Sequence, residues 1–127
     1  MNGTHENGII TYTAAASATK GTFVKFTGET DAGGRPTVTP TTAADDQAIG
    51  AVIDGCNAGD DVAVAILGGY RGTMLVKAGG AVTRGAQLAA DGTATAAATD
   101  VIVGIALDTA AASGDLIEIA HQVGQVK

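Results

Sequence analysis

At 127 residues the chain suffices for one domain or two very small ones, and Leu, Ile, Val and Phe make up only about a fifth of it. With 7 basic and 13 acidic residues the net charge is −6, and no Lys/Arg cluster supplies the phosphate-neutralising patch of a nucleic-acid binder. No segment approaches the roughly 18 apolar residues of a membrane helix, and Cys56, the single cysteine, permits no intrachain disulfide and fits synthesis in a reducing compartment.

The first residues, Met1 to Gly8, are polar and lack the basic and apolar regions of a secretory signal. Residues 1–12 are read as an N-terminal arm, and 13–127 as a single β domain. Gly is abundant at 19 residues and Pro rare at 2, so the chain is punctuated by tight turns between short strands. The expected strands are Ile9–Thr13, Thr22–Thr27, Pro36–Thr39, Ala48–Asp54, Val62–Leu67, Gly72–Lys77, Thr93–Ala97, Val101–Leu107 and Asp115–His121. Alternation is clear in Val62-Ala63-Val64-Ala65-Ile66 and in Leu116-Ile117-Glu118-Ile119, where Glu118 faces away from Ile117 and Ile119. Residues 28–46 are rich in Thr, Gly and Asp, carry both prolines, and read as a long exposed loop or β-ribbon excursion. Helical signals are confined to a short turn over Ala43–Gln47 and one turn over Ala81–Gln87. The fold class is therefore all-β, a small barrel with little helix.

With no Trp and only Tyr12, Phe23, Phe26 and Tyr70 as aromatics, the core must be built from Ala, Val and Ile. Such side chains bury little area each, while every ordered residue costs about 1–2 kcal/mol of backbone entropy. Self-association is the ordinary remedy for so thin a margin.

An internal repeat runs from about 49–66 and again over 103–119. Ile49-Gly50-Ala51-Val52-Ile53-Asp54 precedes Gly59-Asp60-Asp61-Val62-Ala63-Val64, and Val103-Gly104-Ile105-Ala106-Leu107-Asp108 precedes Gly114-Asp115-Leu116-Ile117-Glu118-Ile119. Each copy reads as strand, Asp-led turn, Gly-Asp turn, strand, with Gly50 and Gly104 marking a bulge or a close backbone approach.

No catalytic constellation emerges. Cys56 lies in an Asp-Gly-Cys-Asn turn, with only His5 and His121 as candidate bases. Ser17 and Ser113 lack the G-x-S-x-G turn of a nucleophile elbow. Asp45-Asp46 and Asp60-Asp61 are adjacent pairs whose side chains diverge on a strand, which favours turn chemistry over a metal site. Gly68-Gly69-Tyr70-Arg71-Gly72 lacks the Lys-Ser/Thr ending and the following helix of a phosphate loop. No catalytic, metal or cofactor residue is assigned.

Met74 to Leu88, with its Ala78-Gly79-Gly80 turn and Arg84-Gly85-Ala86-Gln87-Leu88 corner, resembles part of the biotinyl/lipoyl carrier fold. The lysine that family modifies would follow Leu88, and Ala89 to Asp100 holds no Lys. A carrier or accessory β-domain lacking its attachment lysine is kept as an alternative.

From about Asn7 to Gly124 the order of motifs resembles the small capsid decoration, or cement, proteins of tailed bacteriophages. The motifs are the strand at Ile9, the Ile49–Asp54 strand with its Gly-Asp turn, Leu75-Val76-Lys77-Ala78-Gly79-Gly80, the Gly85-Ala86-Gln87-Leu88 corner, Asp91-Gly92-Thr93, and the closing strands at Gly104–Asp108 and Gly114–Ile119. The 28–46 stretch is longer than the family pattern. The resemblance implies a β-barrel or β-tulip domain, usually trimeric, on the outer surface of an expanded capsid and stabilising it against internal DNA pressure. It implies as partners the major capsid protein shell and further copies of the chain, with no nucleic acid and no membrane. It also implies a virion protein made in the bacterial cytoplasm. A polar arm adding a strand to an exposed sheet edge is the expected mode of attachment, and Asn2, Thr4, His5, Glu6, Asn7, Ile9 and Ile10 are its candidate capsid-binding residues. A head-fibre or tail-associated β module is the other alternative.

Overall fold

The computed structural model describes residues 7–127. Among them there is no helix, and nine strands form a closed five-stranded barrel and a four-stranded sheet. The barrel contains β1 (Ile9–Ala14), β2 (Phe23–Thr30), β3 (Pro36–Pro40), β4 (Gly50–Val52) and β5 (Asp61–Ile66), ordered β1-β3-β2-β4-β5. The sheet contains β6 (Met74–Lys77), β7 (Gln87–Ala89), β8 (Val101–Ala106) and β9 (Leu116–Val126), ordered β6-β9-β8-β7.

Alternation decides which side chains meet. In β5, Val62 and Val64 point into the barrel, where they join Ala14, Val24, Val38 and Val52 in one small core. Ala65 points the other way. Together with Phe23, Ala51 and Leu67 it enters a second, larger core with Met74, Val76, Leu88, Val103, Ile117 and Ile119 of the sheet. The outer wall of the barrel thus fills the concave side of the sheet.

The two parts are copies of one unit. Removing β3 leaves the order β1-β5-β4-β2, which matches β6-β9-β8-β7 strand for strand, with antiparallel pairing throughout. Backbone bonds repeat as well. Gly21 N–H donates to Val52 O at 2.9 Å, and Gly85 N–H to Ala106 O at 2.8 Å. Gly59 N–H donates to Ala14 O at 2.7 Å, and Gly114 N–H to Ala78 O at 2.8 Å. Isolated bridges join Ala18 to Cys56 and Val82 to Ala110. The repeat legible at 49–66 and 103–119 therefore extends back through Ala18-Thr19-Lys20-Gly21 and Val82-Thr83-Arg84-Gly85.

Glycine is required where the copies bring strands closest. A Cβ on Gly50 would lie 2.2 Å from Ala65 O, and one on Gly104 would lie 2.4 Å from Ala120 O. Both positions tolerate only hydrogen.

Several expectations need correction. Residues 9–12 were assigned to an arm, yet they form most of β1, paired from Ile9↔Ala65 to Thr13↔Asp61. Their apolar and β-branched side chains gain a full ladder there, which an arm would forgo. The turn of helix expected over Ala81–Gln87 is instead the Val82 bridge, a Gly85 corner with φ of 92°, and the start of β7. Thr93–Ala97 is not a strand, and only Ala94 bridges, to Leu88. The long 28–46 excursion takes its ribbon form: β2 and β3 pair antiparallel with a register shift between Phe26 and Thr30, and Asp31 closes the tip.

Candidate functional surface

The aspartates do turn work. Asp46 Oδ2 accepts from the Thr42 and Ala43 amides at 2.8 and 3.0 Å, and Asp100 Oδ2 accepts from Ala96 and Ala97 at 2.8 and 3.1 Å. Asp115 serves Ala111 and Ala112 in the same way, and Asp60 serves Asn57. Bonds to these backbone donors hold the Asp46 and Asp100 carboxyls below the ordinary carboxylate range, with Lys25 adding to the effect at Asp46 and Lys127 at Asp100. Asp31 is lowered first by the Thr13 hydroxyl, which donates at 2.7 Å, and then by the Arg35 amide.

His121 is engaged on both ring nitrogens. Nδ1 accepts from the Gly68 amide at 2.9 Å, which leaves the proton on Nε2 to donate to Gly72 O at 2.8 Å. The ring clips the 68–72 turn onto β9. Cys56 sits in the Ala18 bridge and takes part in the barrel core. Among the described residues no group of three or more His, Cys, Asp or Glu is placed to hold a metal ion. Lys25 pairs with Asp46 at 3.1 Å, while Lys77 Nζ donates to Thr19 at 2.6 Å and Lys127 Nζ to Thr95 at 3.2 Å. The corner after Leu88, where a carrier would present its lysine, is closed by Asp91, which accepts from the Thr93 amide and hydroxyl.

Of the candidate attachment residues, Asn2, Thr4, His5 and Glu6 lie outside the described residues. Asn7 opens the described chain; its Oδ1 accepts from the Ile9 amide at 3.1 Å and its carbonyl from Arg71. Ile9 and Ile10 are half-buried in β1. Beside them runs a groove of about 650 Å³ lined by Ile9, Ile10, Tyr12, Phe26 and the ribbon tip at Gly33–Pro36. Tyr12 and Phe26 meet edge to face, with centroids 5.2 Å apart, and Phe26 is 46% exposed. Burial among these apolar neighbours raises the Tyr12 phenol above its ordinary value.

A second apolar surface lies on the four-stranded sheet. Leu75, Ile105, Leu107 and Leu116 all stand on the outer face of the sheet, around Glu118. Reading the sequence alone missed this face. Ile105 and Leu107 alternate with Gly104 and Ala106, and that pattern signals one apolar side without saying whether anything covers it.

No match to a curated protein was found. Among solved structures, the base of the head fibre gp8.5 of bacteriophage phi29 is similar at a TM-score of 0.67 and 16% identity, covering 94% of this chain and 97% of that one. At that identity the likeness shows a shared fold. A family model described as phage cement protein matches residues 4–121, nearly the whole chain, and the protein belongs to that family.

Proposed function

We propose that the chain is a structural protein of the virion. It binds the outer surface of the assembled capsid as an oligomer and stabilises the shell against the pressure of packaged DNA. Membership of the phage cement family over residues 4–121 is the observation that carries this reading. The chemistry of the described residues is consistent with it: carboxylates close turns, His121 is held by two backbone groups, and what the surface offers is apolar area. The role is binding, not catalysis. The partners are the major capsid protein and further copies of this chain, in a trimer by analogy with the family, and the chain is made in the bacterial cytoplasm before it joins the virion.

Attachment is assigned to the N-terminal segment, with Asn2, Thr4, His5, Glu6 and Asn7 as contacts and Ile9 and Ile10 as its anchor in the barrel. The structure sharpens the test. Asn7 and Gly8 accept backbone bonds from Arg71 and Ile66, so a deletion that spares the fold removes residues 1–6 only. That variant is expected to keep its thermal melt and its oligomer while losing co-sedimentation with assembled shells. Full decoration by the truncated chain would show that attachment lies elsewhere.

A second reading is favoured by the likeness to the phi29 head-fibre base: the chain anchors a fibre or tail element on the head. Electron microscopy of decorated shells separates the two, since a cement protein occupies its sites without a projecting partner.

A further inference from the structure

Residues 68–72 carry the chain from the end of β5 to the start of β6, from barrel to sheet. On the barrel side the Gly69 and Tyr70 amides donate to Ile66 O at 3.0 and 2.9 Å. On the sheet side Gly68 is pressed onto β9, where a Cβ would come within 2.5 Å of Val123 Cγ2. The N-terminal segment rests on the same turn. Asn7 O accepts from the Arg71 amide, and Gly8 packs so closely that a Cβ would run into the Gly69 carbonyl. Three parts of the molecule meet at this turn, and the His121 ring pins it through the Gly68 amide at 2.9 Å and Gly72 O at 2.8 Å.

We infer that His121 is a proton-operated latch on this joint: the neutral ring holds the 68–72 turn, and protonation releases the turn and loosens the seat of Asn7 and Gly8. The Gly68 bond carries the effect. An amide can only donate, so Nδ1 must present a lone pair, and a ring protonated on both nitrogens sets donor against donor. The Gly72 bond survives, because Nε2 donates in both forms. The latch thus contributes where the ring is neutral and is lost as the ring takes up a proton. The ring is half-buried, so a proton reaches it without unfolding. Its surroundings do not restore the lost bond. The turn brings Tyr70, with its ring centroid 6.1 Å away, and Arg71, a second positive charge. β9 brings Glu118, which alternation places on the other face and which bonds the Thr73 hydroxyl. β8 sets Gly104 opposite the histidine, and the N-terminal segment brings the uncharged Asn7 and Gly8. None of these turns a carboxylate toward the ring to hold its charged form.

Amide hydrogen exchange of the full chain tests this at about pH 7.5 and about pH 5, across the range in which histidine side chains ordinarily change charge. After correction for intrinsic exchange, protection at Gly68 and Arg71 is expected to fall about tenfold in acid, the scale of one hydrogen bond. The β4–β5 ladder is expected to keep its protection. In His121→Asn, Oδ1 takes the place of Nδ1 and gains no proton in this range, so Gly68 is expected to stay equally protected at both values. Nitrogen-15 shifts of the wild-type imidazole, at the higher pH, are expected to show a proton on Nε2 and a bare Nδ1. The opposite tautomer, or Gly68 protection that ignores pH, overturns the proposal. So does a loss shared by the β4–β5 ladder, or a folded His121→Asn chain that still loosens in acid. If His121→Asn does not fold, wild-type exchange and the ring shifts still decide. Both are read on the free chain, so the result is independent of whether the protein binds shells.

Discussion

The two copies of the repeated unit solve the same packing problem differently. The first closes itself: β3 returns from the ribbon to pair with both β1 and β2, and six small side chains fill the barrel. The second has no equivalent strand, only the Asp91 turn and the Leu88–Ala94 bridge, so its concave side stays open. Phe23 and Leu67 of the first copy fill it. A chain poor in large apolar residues thus gains one extended core by letting one half plug the other. The lesson is that the apolar face of a sheet can be enclosed by closing the sheet on itself or by covering it, and this molecule uses both.

Removing the plug should have the largest effect. Phe23→Ala is expected to cost about 3–5 kcal/mol in denaturant unfolding. Hydrogen exchange should quicken more in β6–β9 than in the barrel, and equal loss in both halves would break the distinction. Next come the paired glycines. Gly50→Ala and Gly104→Ala each drive a methyl against a carbonyl, and each is expected to cost about 1–3 kcal/mol. Similar losses at both sites would confirm the repeat, and a tolerated Gly104→Ala would show that the second sheet can open. Phe26→Ala is expected to lose about 0.5–1.5 kcal/mol with its edge-to-face partner Tyr12, measured the same way.

Acid should act on both copies alike, through corresponding turns. Asp46 and Asp100 have carboxyls lowered by folding, so the stability they contribute is complete above the ordinary carboxylate value of about 3.9 and is lost as pH falls below it. The part of the urea midpoint set by these two turns is expected to be flat above about pH 5 and to decline below about 4. Asp46→Asn with Asp100→Asn should lower the neutral-pH midpoint and flatten the acid limb. An unchanged acid limb would mean that other carboxylates carry it.

How much of this was legible depends on where each strand gets its stability. Val62–Ile66 and Val101–Ala106 carry their own alternation and glycine or aspartate boundaries, so they can be read directly. β7 has three residues and owes its existence to pairing with β8, which no local pattern announces. The repeat was visible where Ile-Gly-Ala-Val and Val-Gly-Ile-Ala keep both pattern and glycine. It was hidden where Ala18-Thr19-Lys20-Gly21 and Val82-Thr83-Arg84-Gly85 keep only Thr, a base and Gly. Of the attachment segment, sequence could say that it is polar. It could not show that Ile9 and Ile10 belong to the barrel, because an apolar pair at a chain end suits an arm or a strand equally well until its partner, β5, is known.

The central claim is that this fold serves a shell, and incubating the purified chain with assembled, DNA-filled capsids of its phage tests it most directly. Saturable co-sedimentation, with DNA release shifted to higher temperature, is the predicted result. Capsids that neither bind the chain nor gain heat resistance would contradict it.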